Sequence, residues 1–375
     1  MHAFVSHESA CAVLRTLSAH GGRPFDSISR WPDVARRLPV MGDCMCSQRG
    51  FQELCAKVDL GELGLTSRPV DLVVPLQRMR SSGRGARFHV WGGVVPPNAF
   101  LRLGDVLVSG SELVILQLCS AQGKLDELLD AHASAVKAEM GTLAGLGIDE
   151  PPAIDHPLEW ERTRRLLAAA TLMCEFAGTY RLVVDGRGVT YHAPRLSSLS
   201  ELRTCVDAAG STSGTRRARR VCDLAFDGSA SPMETALAIM LTFPPELGGF
   251  GLPRPVLNRG INVSFCQGTL SDREVVTPDF LWESQRVALE YDSDEFHADR
   301  GERQLENDSA RTNILSALGY RVFRATTWTM RSPERVALLA RQLASALGVE
   351  LEATTPVREL RRRKLFLELM PRRVG

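Results

Sequence analysis

No stretch of the chain reaches the roughly 18 uninterrupted apolar residues of a membrane span, so no transmembrane helix and no membrane partner are expected. The first twenty residues, MHAFVSHESACAVLRTLSAH, lack a basic start, a long apolar core and a clear cleavage site, so no secretory leader is expected either. Cysteine is sparse: nine among 375 residues, irregularly spaced and odd in number, which excludes a disulfide scaffold and suits a reducing compartment. Together these absences read as a soluble, cytoplasmic protein. An excess of either charge is missing too. With 45 basic and 44 acidic residues the net charge is +1, so any pull toward nucleic acid must come from local patches.

Several motifs are also absent. No G-x-G-x-x-G or H-E-x-x-H occurs, and Lys124 follows Gly123 without the upstream glycine of a phosphate loop, so nucleotide binding has no support. Cys44, Cys46 and Cys55 match tetrahedral zinc spacing poorly, with no fourth ligand nearby, and read as buried or incidental thiols. What remains is an ordinary globular composition, 44% hydrophobic and 24% charged, long enough for two domains with separate cores.

The first 60 or so residues look mostly helical, with Leu14, Leu17, Val34, Leu38, Phe51 and Leu54 as candidate core positions. From Pro69 short β-rich runs follow, VDLVVPLQ, RFHVWGGVV and DVLVSG, split by glycine and proline. Helical periodicity returns in SELVILQLCSAQGKLDELLDAHASAVKAEM and again in LEWERTRRLLAAATLMCEFAG. The stretch 186–228, rich in Gly, Ser and Arg, reads as a linker with a basic segment, and a domain boundary is placed near Asp227. Residues 1–185 are thus expected to be a mixed α+β domain, and they carry no nameable catalytic signature.

The last third has the clearest order. Ser231 suits an N-cap with Pro232 at the first helical position. GINVSFCQG, EVVTPDFLW and RVALEYDS read as three strands, the last two joined at Trp282-Glu283-Ser284-Gln285. A helix from about Glu302 to Leu318 ends at Gly319, then come the strand YRVFRAT and a helix opened by Ser332-Pro333. Asp279 lies in the second strand and Glu290, eleven residues on, in the third, so a hairpin can bring both carboxylates to one sheet edge. Glu290 ends an apolar run, where a carboxylate is costly unless something compensates it. Glu234, one turn into the preceding helix, is close enough in this topology to be a third oxygen ligand. Carboxylates beside a hard cation suit phosphodiester hydrolysis, because the cation polarises the phosphoryl group and acidifies water. Taken alone, acids at strand ends are usually solvated surface residues, and Glu234 is an ordinary first-turn acid.

The pattern SPMETAL, TPDF, ALEYDSDEFH, NDSARTNIL and GYRVFRAT resembles the PD-(D/E)XK nuclease superfamily over roughly residues 229–350. Within it the match is to the branch of very-short-patch repair endonucleases and of nuclease-like domains found with abortive-infection antitoxins. The resemblance implies an α/β, restriction-endonuclease-like αβββαβ domain with a central mixed sheet, preceded by a mixed α+β domain. It implies Mg²⁺ or Mn²⁺ held by Glu234, Asp279 and Glu290, and DNA as substrate. The usual lysine two residues after the third-strand acid is Asp292 here, and His297 matches the histidine that replaces it in the repair-type branch. A neutral imidazole there would accept the proton of water, with Asp292 as the alternative. That branch usually has glycine after the strand, where Ser293 stands. Asp308, Arg311 and Arg324 match polar positions of the next helix and strand; Arg311 reads as a structural ion pair or, alternatively, a phosphate contact.

Two basic runs remain: Arg216, Arg217, Arg219 and Arg220 in the linker, and Arg358, Arg361, Arg362, Arg363 and Lys364 on a helix within 351–375. Such runs are usually solvated faces, but beside a nuclease fold they are candidate phosphate contacts. The N-terminal half loosely resembles the segment preceding the nuclease-like domain in antitoxin-like proteins, and a protein partner through it is a further expectation. The activity expected is metal-dependent DNA cleavage in repair or defence; the alternative is a non-catalytic, antitoxin-like or DNA-binding regulator built on the same scaffold.

Overall fold

The computed structural model describes residues 3–19, 59–65, 69–77, 85–96, 99–103, 106–120, 126–140, 157–184, 188–264, 274–292 and 311–370. Two compact units emerge, Met1–Leu129 with Arg164–Ala225, and Asp130–Thr163 with Phe226–Gly375. The chain is of the α/β class with mixed sheets. Candidate core positions Val34, Leu38, Phe51 and Leu54 lie outside the described residues.

The first unit is built on a five-stranded sheet in the order β3-β2-β1-β5-β4, from β1 (Ala3–Val5), β2 (Val70–Val74), β3 (Ala86–Val90), β4 (Phe100–Leu103) and β5 (Val106–Ser109). β1 is central, parallel to β5 and antiparallel to β2. β2 and β5 are buried along their whole length, which is why they read as continuous apolar runs rather than alternating ones. Helices α1 (His7–Ala19) and α2 (Ser111–Cys119) follow β1 and β5, and every residue of α2 is buried, as its all-round apolar sequence requires. The single helical run read between Ser111 and Met140 is two helices, α2 and α3 (Asp126–Met140). After α4 (Pro157–Ala177) comes the hairpin β6 (Tyr180–Leu182) and β7 (Val189–Tyr191).

The stretch expected as a linker is instead folded. It holds β7, α5 (Leu199–Ala208) and α6 (Thr215–Leu224), with Leu202, Val206, Ala218 and Val221 at 0% exposure. Its glycine and arginine content hid an amphipathic helix: Ala218, Val221 and Cys222 face inward while the arginines lie on the other faces. Gly214 is required at the start of α6, because its φ is +95° and a Cβ there would come within 2.6 Å of the Leu116 carbonyl. The divisions between the units fall at 129/130, 163/164 and 225/226, the last beside Asp227 and none at 185.

In the second unit α7 (Pro232–Thr242) precedes a four-stranded sheet of order β13-β12-β11-β8. Ser231 caps α7 by accepting from the Glu234 N–H at 3.1 Å. The strands are β8 (Val256–Leu257), β11 (Phe280–Trp282), β12 (Val287–Asp292) and β13 (Arg321–Thr326). β8–β11 and β11–β12 are antiparallel; β12–β13 is parallel, through a helix described over 311–317. Two strand expectations change. The described residues of GINVSFCQG contribute β9 (Ile261–Asn262), which pairs with β10 (Val275–Val276) in a separate ribbon. EVVTPDFLW, read as one strand, is broken between β10 and β11 at Pro278, which cannot donate to a ladder. Ribbon, sheet and helix share a core of Val263, Val276, Ala288, Ile314 and Leu315. Helices α8 (Pro333–Leu347) and α9 (Pro356–Leu369) close the unit, each capped by a side chain, Ser332 and Thr355.

Candidate functional site

The side-chain alternation of β12 places the acids. Ala288 belongs to the core beneath the 311–317 helix, so Glu290 and Asp292, two and four residues on, project to the same face. Phe280 pairs with Leu289, so the preceding Asp279 comes opposite Glu290 on that face. The parallel partner strand brings Arg324 beside Glu290.

Glu290 is only 1% exposed. The Arg311 guanidinium lies against its Oε2 as an ion pair, yet neither carboxylate oxygen receives a well-directed hydrogen bond. Burial, and then the nearby Asp279, push its carboxyl up to about 8, with Arg311 pulling the other way. Asp279 is anchored differently: its Oδ2 accepts from the Tyr291 N–H at 2.7 Å. Asp292 is buried and pairs with Arg324 Nη1 at 3.6 Å.

Glu234 joins this group from α7. Its Oε2 accepts from the Ala230 N–H at 3.0 Å and from Asn258 Nδ2 at 2.6 Å. Burial and then Asp279 hold its carboxyl well above the usual carboxylate range, with Glu139 adding to the effect. Asn258 is a residue that sequence reasoning passed over. It sits at the end of β8 with φ +48°, donates to the Gly228 carbonyl at 3.0 Å, and its own N–H donates to the Asp279 carbonyl at 3.0 Å. It therefore ties the loop before α7, the α7 acid and the β11 acid to one point. The only sequence signal was an asparagine, a residue tolerant of left-handed backbone, before Arg259-Gly260.

The structure thus brings Glu234, Asp279, Glu290 and Asp292 into electrostatic contact. Donor type and burial suit a hard divalent cation, since like-charged buried carboxylates favour a bound cation or proton. Among the described residues, no three of His, Cys, Asp and Glu form a group able to hold a metal ion, and Arg311 supplies the positive charge beside Glu290. His297 and Asp308 lie outside the described residues.

The arginines expected to meet nucleic acid divide. Arg216 is exposed on α6. Arg217 donates to the Cys119 carbonyl and is half-buried. Arg324 is exposed and also donates to Thr312 Oγ1 at 2.8 Å. Arg362 is 8% exposed, stacked over Phe250 at 4.5 Å and donating to Thr354 Oγ1 at 3.1 Å. Arg363 pairs with Glu334 at 3.1 Å, and Arg361 with Glu159 at 2.7 Å. The C-terminal basic helix is therefore held largely by its own unit. No described helix is long and apolar enough to cross a membrane. The five described cysteines are buried thiols outside any disulfide, and burial pushes those of Cys11, Cys119 and Cys205 up to about 12. No protein-family model, no curated protein and no solved structure matches the chain.

Proposed function

We propose that the second unit is a PD-(D/E)XK-type domain and that the protein is a metal-dependent DNA endonuclease, acting in repair or defence. The observation that carries this reading is Glu290: a carboxylate 1% exposed, without a well-directed hydrogen bond at either oxygen, compensated only by the partly solvated Arg311, and set beside Asp279 and Asp292. Such an arrangement costs stability unless a cation compensates it, and is the kind of strained charge cluster that marks functional sites. The order of α7, the β11–β12 hairpin, the 311–317 helix and parallel β13 supports the αβββαβ assignment.

On this reading Asp279, Glu290 and Glu234, which as placed here do not converge into a metal-holding group, would have to close on Mg²⁺ or Mn²⁺, whose chemistry there would be to polarise the scissile phosphate and acidify water. The Tyr291 N–H fixes the Asp279 carboxylate, and Asn258 fixes that of Glu234. His297 or Asp292 accepts the proton of the attacking water. Arg324, exposed at the edge of the same face, and Arg216 on α6 are the candidate phosphate contacts. The test is calorimetric titration of Mg²⁺ and Mn²⁺ into the wild type and Asp279→Ala, with cleavage of plasmid DNA assayed in parallel. Metal binding and cleavage that both vanish in Asp279→Ala support the reading; a variant that cuts at the wild-type rate overturns it.

The Arg311–Glu290 pair favours a second reading, a non-catalytic antitoxin-like or DNA-binding regulator in which a tethered guanidinium stands where a metal ion would. DNA or protein binding that survives Asp279→Ala and needs no divalent ion would establish it, including a protein partner engaged through the first unit.

A further inference from the structure

The first unit contains a cavity of about 370 Å³, walled by Leu14, Leu101 and Leu196. It opens at the start of α2 and at the loop leading into α5, and does not involve the carboxylate cluster of the second unit. Its volume is that of a small-molecule site.

The polar groups lining it divide into those already satisfied and those left open. Ser111 Oγ donates to the Leu196 carbonyl at 3.1 Å, Ser197 Oγ to Glu112 Oε1 at 2.6 Å, and Ser198 Oγ to Glu201 Oε2 at 3.0 Å. Three charged groups remain open: Glu112, Arg195 and the solvent-exposed Glu201, whose Oε1 no donor reaches among the described residues. Glu112 is 8% exposed and, beyond Ser197, no donor reaches its carboxylate among the described residues, so Oε2 is unpaired at the cavity. Arg195 lines the same cavity and makes no ion pair among the described residues, with Glu112 or with anything else. The N-terminus of α2, capped only by Gly110 with no side-chain bond, opens beside them.

A largely buried carboxylate that presents an unpartnered oxygen to the cavity is a ready acceptor for a charged donor, and the surrounding burial strengthens such a pair. A free guanidinium at the same cavity calls for a planar anion. A simple cation would leave Arg195 repelling it, and a simple anion would meet Glu112. The leucine walls suit neither alone. We propose that this cavity binds a small zwitterion of the amino-acid class with an apolar side chain. Its ammonium group pairs with Glu112, its carboxylate pairs with Arg195, and its side chain lies against the leucines.

Equilibrium dialysis of the full chain at neutral pH tests this with L-leucine, L-methionine and L-phenylalanine. Two halves of leucine serve as controls: 3-methylbutylamine, which lacks the carboxylate, and 4-methylpentanoate, which lacks the ammonium. At least one amino acid binds, each half-ligand binds about tenfold or more weakly than leucine, and Glu112→Gln and Arg195→Gln each weaken leucine binding by about tenfold or more. If none of the three amino acids binds, the site is not of this class. An amine that binds as tightly as leucine makes it a cation site, and a carboxylate that does so makes it an anion site; either overturns the proposal. Should Glu112→Gln fail to fold, the exposed Arg195→Gln still decides, and unchanged leucine affinity there overturns it.

Discussion

Arg311 sets its guanidinium against Oε2 of Glu290, a carboxylate 1% exposed, while the Arg311 side chain is 25% exposed. A cation partly in water thus compensates an anion almost wholly out of it. Because that compensation is incomplete, Glu290 keeps its raised proton affinity, to about 8.

The pair is expected to behave non-additively. Above pH 8, where Glu290 is ionised, Arg311→Ala leaves a buried charge without its partner and lowers stability by about 3 kcal/mol, the low end for a buried pair because Arg311 is partly solvated. Glu290→Gln in the Arg311→Ala background recovers much of that loss, because the charge needing compensation is gone. Chemical denaturation of the four proteins of the cycle measures this, and additive effects would show that the pair is not coupled.

Asn258 holds a left-handed backbone, φ +48°, and a 2.6 Å hydrogen bond to Glu234 Oε2. Asn258→Ala loses the amide and keeps the backbone strain; Asn258→Gly loses the amide alone. The glycine variant is therefore more stable than the alanine variant by about 1 kcal/mol, although both fall below wild type. Thermal melts compare them, and an alanine variant as stable as the glycine one would rule out strain at this position.

His7 supplies a pH test. Burial, then the neighbouring His89 stacked at a ring distance of 3.8 Å, hold its imidazole down to about 3 from an ordinary 6.5. The sign follows from the unfolded chain, which takes up a proton below 6.5 while the folded one does not. No stability is lost above that pH, and it falls as pH drops toward 3, at a slope approaching about 1.4 kcal/mol per pH unit for one proton. Asp71, held low partly by its 2.7 Å contact with His89, adds its loss only below the ordinary aspartate value of 3.8. Urea unfolding of wild type and His7→Asn between pH 7 and 4 checks this. Asparagine tolerates the φ of +49° at this position, and the slope should flatten in the variant.

The arginines should separate by burial. Arg362→Ala removes a guanidinium stacked over Phe250 and costs about 2 kcal/mol of stability. On the proposed DNA-binding reading it leaves the salt dependence of binding unchanged. Arg216→Ala, on an exposed site, leaves stability within about 0.5 kcal/mol and reduces the salt slope of binding by about 1. Fluorescence anisotropy across a salt series reads the slope, and the reverse pattern would mean that α9, not α6, faces the phosphates.

Local rules made much of the second unit legible. Ser231-Pro232, Ser332-Pro333 and Gly319 mark helix ends by interactions within a few residues, and each stands where those rules put it. The spacing of Asp279 and Glu290 across a short turn likewise determined that they share a sheet face, because side-chain direction alternates with every residue. The rest depended on partners far away in the chain. β1 is only three residues long and gains its place between β2 and β5 through pairing with residues some 70 and 100 positions on, which no local period reveals. The basic stretch before Asp227 became helix through contacts with α2. Sequence alone named Glu234, Asp279, Glu290 and Asp292; tertiary packing decided that Glu290 is buried, that Arg311 answers it and that Asn258 holds Glu234, since desolvation and ion pairing are properties of surroundings, not of spacing.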